Sequence, residues 1–427
     1  MRILHTSDWH LGRLLEQINR IDEQKEFITC LCKTADDEKI DLVLVAGDIF
    51  DTYNPSAAAE ELFYEAIDKL SGKGKRAVIV IAGNHDNPER LCAASPLAYK
   101  NGIILLGYPG SSPDKYKSSC ETVKIIDCGP GWIELHIDNC SHNAVVITLP
   151  YPSESRLEEI LSDDVDENKM QKAYSDKIGD ILNKLAGKFR DDTVNLVVSH
   201  LFIRGGSTSD SERTIQVGGA LTVDPEVLPE KAHFIALGHL HRAQKVKGAP
   251  CPAYYSGSPL AYSFSEAGYS KVVYIIDAEP GKDADIREVY LDCGKPLKKW
   301  VAEKGIEQAI KWCEEKRDIN AWVDLEIYTD RAFSMEEQKK LRELHPGIIS
   351  IKPVINAEQR ELPDYENREG RKIDELFRDY YKSRTGVEIS DELMQVFLET
   401  INEDEDEQNR YQIGISAGGE ENEAKIS

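Results

Sequence analysis

None of the nine cysteines forms a Cys-x-x-Cys pair, so the pattern of a structural zinc knuckle is missing. The odd number of scattered thiols, Cys30, Cys32, Cys92, Cys120, Cys128, Cys140, Cys251, Cys293 and Cys313, suits a reducing compartment and points to the cytoplasm. No run of eighteen apolar residues exists, which argues against a membrane span. Residues 1–6 run straight into a motif, leaving no space for a signal peptide. A phosphate-binding loop is also absent, because Ser71-Gly72-Lys73-Gly74-Lys75-Arg76 has neither the spacing nor the closing hydroxyl. If ATP is needed, another chain must supply that site. Positive charge is scarce: the net charge of −24 excludes a basic sheath for nucleic acid. A bound cation can still invert the local field and draw in a phosphodiester. No internal repeat is found, and 427 residues exceed one typical core, so two or three domains are expected.

What the chain does have is five short motifs, each closing an apolar run. They are Asp8-Trp9-His10, Gly47-Asp48-Ile49-Phe50-Asp51, Gly83-Asn84-His85-Asp86, Ser199-His200 and Gly238-His239-Leu240-His241. The runs before them, 1–6, 41–46, 77–82, 194–198 and 234–237, are continuous and rich in Val and Ile, as in strands buried on both faces. Helical stretches over 22–38 and 56–71 alternate with them. That alternation predicts a mainly parallel sheet with helices on both sides, and ligands gather at the carboxyl ends of such strands. Gly47, Gly83 and Gly238 either supply a positive φ, permit close backbone approach, or simply end a strand.

The motifs offer two carboxylates, one amide oxygen and four imidazoles of metal-ligand type. This is the inventory of a two-metal phosphoesterase site. Asp48, with ligands on either side in the chain, is the expected bridge. Asp8, His10 and His241 would complete one position, and Asn84, His200 and His239 the other. Mixed nitrogen and oxygen donors without thiolate suit two divalent ions such as Mn²⁺, Fe²⁺ or Zn²⁺, and Mn²⁺ is the expectation. His85 is the candidate to serve the leaving alkoxide, with Asp86 holding its tautomer; the bland alternative makes His85 structural. Asp51 stands behind the ligands, caps a helix, or does both. His5, His136, His142, His233 and His345 read as structural or surface residues. Arg13, Arg20, Arg90 and Arg213 are basic and lie near motifs; they either meet DNA or, as is usual for a surface Arg, are only solvated.

In order and content the motifs resemble the calcineurin-like metallophosphoesterase superfamily, whose pattern is Asp-x-His, Gly-Asp-x-x-Asp, Gly-Asn-His-Asp, a lone His and Gly-His-x-His. Longer strings narrow the likeness. Ser7 to Arg13, Gly47 to Thr52, Gly83 to Leu91, Ser199 to Phe202, Ser209 to Arg213, Tyr255 to Leu260 and Tyr262 to Phe264 are similar to the SbcD-like nucleases, the bacterial Mre-type branch. Eukaryotic and archaeal members usually carry His where this chain has Asp51, which sides with the bacterial branch.

The resemblance implies an α/β fold: a metallophosphoesterase β-sandwich flanked by helices, with a small α+β capping domain and a helical C-terminal tail. It implies a manganese-dependent DNA nuclease, both exonuclease and endonuclease, acting on double-strand ends and hairpins in repair and recombination. Its partner would be an SbcC-type ABC ATPase with a coiled coil, bound to a homodimer within a heterotetramer. A phosphomonoesterase, a cyclic-nucleotide phosphodiesterase or a non-catalytic clamp subunit are the rival readings.

The expected division is 1–278 nuclease domain, 279–358 capping domain, 359–402 helical partner-binding segment and 403–427 acidic tail. In the capping domain, strands are expected over 286–291, 321–328 and 348–353 and helices over 306–315 and 335–344. It either touches DNA or only packs. Ile373, Leu376, Phe377, Tyr380 and Tyr381 share one helical face, as do Leu393, Val396, Phe397 and Ile401. These faces pack on the capping domain or dock on the ATPase coiled coil.

Overall fold

The structure is a computed structural model that describes the chain except residues 114–119, 158–165, 213–220, 332, 355–372, 386–388, 391–392, 396 and 398–427. The expected acidic tail, 403–427, Arg213, residues 359–372 of the expected helical segment, and Val396 and Ile401 of its second apolar face therefore lie outside the described residues.

The five apolar runs are strands, but they belong to two sheets rather than one. Arg2–Thr6, Leu42–Ala46 and Ala77–Ile81 form the centre of a six-stranded sheet, paired in parallel. Val194–His200 and Phe234–Gly238 are the parallel centre of a seven-stranded sheet. The residue period explains the arrangement. Ile3, Leu42, Leu44, Ile79 and Ile81 on the first sheet meet Val146, Leu196, Val198, Phe234 and Ala236 on the second in one buried core. The alternate residues Leu4, Val43, Val45, Val78 and Val80 face a second core with Phe27, Leu31, Phe63 and Leu70. The last four come from the helices Ile21–Asp37 and Ala57–Ser71. Beyond the second sheet, Ile147, Val197 and Ile235 pack on Tyr174, Ile178 and Leu182 of the helix Glu167–Ala186. Each sheet thus has helices on one face only, a β-sandwich between helical layers. A single sheet covered on both sides is corrected: a strand buried twice over looks the same whether helix or sheet lies opposite.

The strand expected over 286–291 forms at Asp285–Tyr290 but belongs to the first sheet. It pairs antiparallel with Val272–Asp277, which in turn pairs antiparallel with Arg2–Thr6. Its assignment to the capping unit is corrected because a short hairpin joins it to its neighbour.

The chain divides into one compact unit of Met1–Lys298 with Asn320–Trp322, and another of Lys299–Ile319 with Val323–Ser427. The second unit has a three-stranded sheet, ordered Leu297–Ala302, Trp322–Tyr328, Ile348–Val354, with helices Ile306–Glu314 and Met335–Leu344. Trp300, Ala309, Cys313, Leu325, Ile327 and Leu341 form its core. Ser334 and Glu337 close a reciprocal capping box at the start of the Met335–Leu344 helix. The helix Ile373–Thr385 carries Phe377, whose ring stacks on Phe397 at a centroid distance of 3.4 Å. The two apolar faces expected in 371–402 therefore meet each other at these rings, while Tyr380 and Leu393 stay at least two-fifths exposed. Among the described residues, no helix is long and apolar enough to cross a membrane.

Candidate metal centre

The ends of five strands converge at one edge of the sandwich. Asp8 and Asp48 each stand two residues beyond a strand of the first sheet, and Asn84 three beyond another. His200 ends its strand in the second sheet, and His239 and His241 follow the neighbouring one. The chain must turn hard to do this. Asp8, His10, Asp48 and His239 all have positive φ, at 53°, 44°, 50° and 109°. Such values strain a residue with a Cβ and persist where surrounding contacts over-determine them, most often at functional sites.

The glycines before the motifs have two jobs. Gly47 takes a φ of 85°. Gly83 and Gly238 are there for close approach: a Cβ on Gly83 would lie 2.1 Å from Asp48 Oδ1, and one on Gly238 1.8 Å from the Ala46 carbonyl oxygen. No larger residue fits at Gly83, between neighbouring strand ends of the first sheet, or at Gly238, where the second sheet meets the first.

All seven expected ligands come together. Among the described residues, Asp8, His10 and His241 form one group that could hold a metal ion, and Asp48, His200 and His239 another. Asn84 Oδ1 joins the second group, 2.8 Å from His200 Nε2 and 3.1 Å from His239 Nδ1. Asp48 Oδ2 sits between them, 3.5 Å from His200 Nε2, 3.7 Å from His10 Nε2 and 3.9 Å from His85 Nε2. Its other oxygen accepts the His85 backbone N–H at 2.9 Å. A third group joins His10, Asp51 and His85.

The donor chemistry fits divalent cations. His10 Nε2 and His241 Nε2 face each other at 3.0 Å, close enough to share one proton that a cation would replace, and His10 Nδ1 is buried without a hydrogen-bond partner. If His10 ligates through Nε2, its proton moves to Nδ1, which faces Asp51 Oδ1 at 3.8 Å. No cysteine is in any of these groups.

Burial and charge set the protonation states. Burial drives His239 down to about 3 and His10 well below its ordinary value, so both stay neutral. Burial also raises Asp8. At Asp48 burial works in the same direction, but the charges of His200 and His85 outweigh it and hold the carboxyl well below its usual range. Burial likewise opposes a charge on His200, yet Asp48 beside it lifts the imidazole to about 9. His200 Nδ1–H donates to the Ala46 carbonyl at 2.8 Å, so the proton a cation must displace is the one on Nε2.

The remaining expectations divide. His85 Nδ1 is 2.6 Å from the Asp51 carbonyl oxygen, to which it donates, and that leaves Nε2 toward Asp48. Asp86 was expected to hold His85, and this is corrected. Its carboxylate accepts the backbone N–H groups of Ile49, Phe50 and Gly83 at 2.8–3.1 Å, tying the second motif to the third. Three amide donors within reach satisfy it more fully than one ring nitrogen would. Asp51 caps no helix; Ser56 is the N-cap of Ala57–Ser71. Asp51 instead lies 3.4 Å from the Arg13 guanidinium. Arg20 is buried on Glu23, and Arg90 pairs with Glu60. His5, His136, His142, His233 and His345 are in none of the metal-type groups.

Three contributors escaped the sequence reading. Arg156 donates to the carbonyls of Gly83 at 2.8 Å and Asp86 at 2.7 Å, clasping the Asn84–His85 loop from both ends. Ser211 and Glu266 form a chain behind His241. No motif marks Arg156, and only the string Ser209–Arg213 hinted at Ser211.

Residues 1–243 match the family model described as calcineurin-like phosphoesterase, and residues 293–385 match one described as type 5 capsule protein repressor C-terminal domain. The chain is similar to the SbcD subunit of the SbcCD nuclease of Bacillus subtilis (strain 168), 46% identical over 95% of this chain and 99% of the relative. It is 27% identical to the SbcD subunit of the SbcCD nuclease of Staphylococcus epidermidis (strain ATCC 12228 / FDA PCI 1200), over 91% of this chain and 95% of the relative.

Two outcomes follow from the geometry. Asp48→Ala removes the shared carboxylate, so metal analysis of the purified variant is expected to find both positions depleted; two ions at full occupancy would disprove the bridge. The second concerns protons. Because His200 keeps its proton up to about pH 9 before metal arrives, a divalent cation held through its Nε2 would release one. Apparent affinity should then rise by about tenfold per pH unit between roughly pH 7 and 9 and level off above. Calorimetric titrations in buffers of different ionisation heat would count the protons released, and a count of zero would remove His200 from the ligand set.

Proposed function

This chain belongs to the calcineurin-like phosphoesterase family, and within it to the SbcD group that it matches over 95% of its length, and from that footing we propose that it is a two-metal DNA nuclease. The observation that carries the reading is the Asp48 carboxylate ringed by imidazole nitrogens at 3.5–3.9 Å, with a complete set of oxygen and nitrogen donors on either side.

Asp8, His10, Asp48 and His241 would hold one ion, and Asp48, Asn84, His200 and His239 the other, with Mn²⁺ favoured by the thiolate-free set. Bound divalent ions supply charge neutralisation on the phosphodiester and ready deprotonation of water. The protein's own groups do the rest. Asp51 fixes His85 through its Nδ1–H, which leaves His85 Nε2 to hold a proton that the departing oxygen needs. Asp86 and Arg156 hold the loop that places Asn84 and His85.

Double-strand ends and hairpins are the proposed substrates. The partner is an SbcC-type ATPase, which would supply the phosphate loop this sequence lacks, acting with a homodimer of this chain in a heterotetramer. The unit beyond residue 298 is the proposed cap. Tyr380 and Leu393, half and two-fifths exposed on the helical segment 359–402, support docking of the ATPase coiled coil there. Nine free thiols suit a cytoplasmic setting. A phosphomonoesterase or a dead scaffold subunit is not favoured, because the ligand set is whole and the likeness runs the length of the chain.

A nuclease assay with Mn²⁺ on linear duplex and hairpin DNA, with and without the ATPase, tests the reading against bis-p-nitrophenyl phosphate and free nucleotides. Cleavage of nucleotides alone would replace it. His85→Gln is expected to keep both ions while turnover falls by roughly 10²–10⁴. Loss of metal in that variant would make His85 a ligand instead. Removal of residues 365–427 is expected to abolish co-purification with the ATPase and leave hydrolysis of the small diester intact. A full complex formed by the shortened chain would rule out docking at this segment.

A further inference from the structure

Behind His241 lies a buried chain of polar groups that the proposed chemistry does not use. His241 Nδ1 is 2.5 Å from Ser211 Oγ, and Ser211 Oγ is 2.5 Å from Glu266 Oε1. Glu266 is fully buried and forms an ion pair with Lys271, whose ammonium also donates to Ser258 Oγ and the His241 carbonyl. Tyr262 N–H donates to Glu266 Oε1 at 3.1 Å. The carboxylate itself is 3.8 Å from His241 Nδ1, beyond hydrogen-bond reach, and the serine hydroxyl fills that gap.

Counting protons gives the direction of each bond. A carboxylate facing an ammonium, an amide N–H and a hydroxyl can only accept. Ser211 has one proton and, besides His241, two oxygen neighbours: Ser209 Oγ at 2.8 Å, which gives its own proton to Glu212, and the Glu266 carboxylate at 2.5 Å, which takes the Ser211 proton. Toward His241 the hydroxyl therefore offers a lone pair, so His241 must bring the proton on Nδ1. Its Nε2 is left bare, facing His10 Nε2 at 3.0 Å, inside the group with Asp8.

We propose that Ser211 and Glu266 are positioning residues that lock His241 as its Nδ1–H tautomer and so present Nε2 as the ligating atom. The proposal rests on the two-metal reading for its use, though not for its geometry. Ser211 is itself held in place. Its carbonyl accepts from Arg13 Nη2 at 2.7 Å, and the next residue, Glu212, accepts the His241 backbone N–H at 2.8 Å. The loop thus grips His241 by ring and backbone together. The segments Ser209–Glu212 and Ser263–Glu266 thus supply the two ends of one hydrogen-bond chain to His241. Partners behind a ligating imidazole commonly change metal affinity by about 10–100-fold.

The test uses the full chain. Nitrogen-15 NMR of the metal-free protein, with the His241 signal identified by its loss in a His241→Gln variant, is expected to find Nδ1 protonated and Nε2 bare. A protonated Nε2 in the wild-type protein would overturn the proposal without reference to any variant. Ser211→Ala is expected to release the tautomer and weaken Mn²⁺ binding at one of the two positions by about 10–100-fold, with Ser211→Thr restoring both. A Ser211→Ala protein with unchanged tautomer and unchanged Mn²⁺ affinity would equally refute it. Should the wild-type chain bind no Mn²⁺, the two-metal reading fails, while the tautomer measurement still decides the hydrogen-bond chain.

Discussion

A carboxylate buried among imidazoles is the constraint on which the rest depends. Asp48 is removed from water and keeps its charge only because nitrogen atoms surround it. Such a group is costly unless positive charge stands beside it. Without a metal, His200 provides that charge by holding a proton. The surrounding architecture serves this one point: two sheets pinched together at Gly238, a close approach of Gly83 to Asp48, four candidate ligands forced to positive φ, and a clasp of Arg156 and Asp86 on the Asn84–His85 loop.

The sequence made the strands and the ligands legible for the same reason. A strand buried on both faces has to be apolar throughout, so its polar end stands out as a signal. Asp8, Asp48, Asn84, His200, His239 and His241 each interrupt such a run. What covers each face left no such trace. Ile3 and Leu4 look alike in a sequence, although one faces the other sheet and its neighbour faces helices. The strand pattern alone therefore points to one sheet, and only the family resemblance implied the two-sheet sandwich that the structure has.

Partners of polar side chains were harder still to read. Asp86 follows His85, and adjacency suggested a pair, but the carboxylate turns to amides of the second motif 36 and 37 residues away. Ser211 and Glu266 are 55 residues apart, and Ser211 is 30 from His241. Nothing in their local spacing could have announced that they join one hydrogen-bond chain. Asp285–Tyr290 shows the same limit for strands: its period was clear, but the sheet it joins is set by a turn and by register.

The candidate ligands are shared between the two sheets. Asp8, His10, Asp48 and Asn84 follow strands of the first, while His200, His239 and His241 belong to strand ends of the second. A cation held by both would act as a staple across the sandwich, much as a disulfide does in a secreted domain. Ligand bound only by the folded state adds RT ln(1 + [L]/Kd), about 2.7 kcal/mol when free metal exceeds its dissociation constant a hundredfold. The lifetime of the folded chain in a cell is then tied to its metal supply. Starvation for the ion would silence the site and also leave the two halves of the sandwich easier to prise apart, so that scarcity of cofactor becomes scarcity of protein.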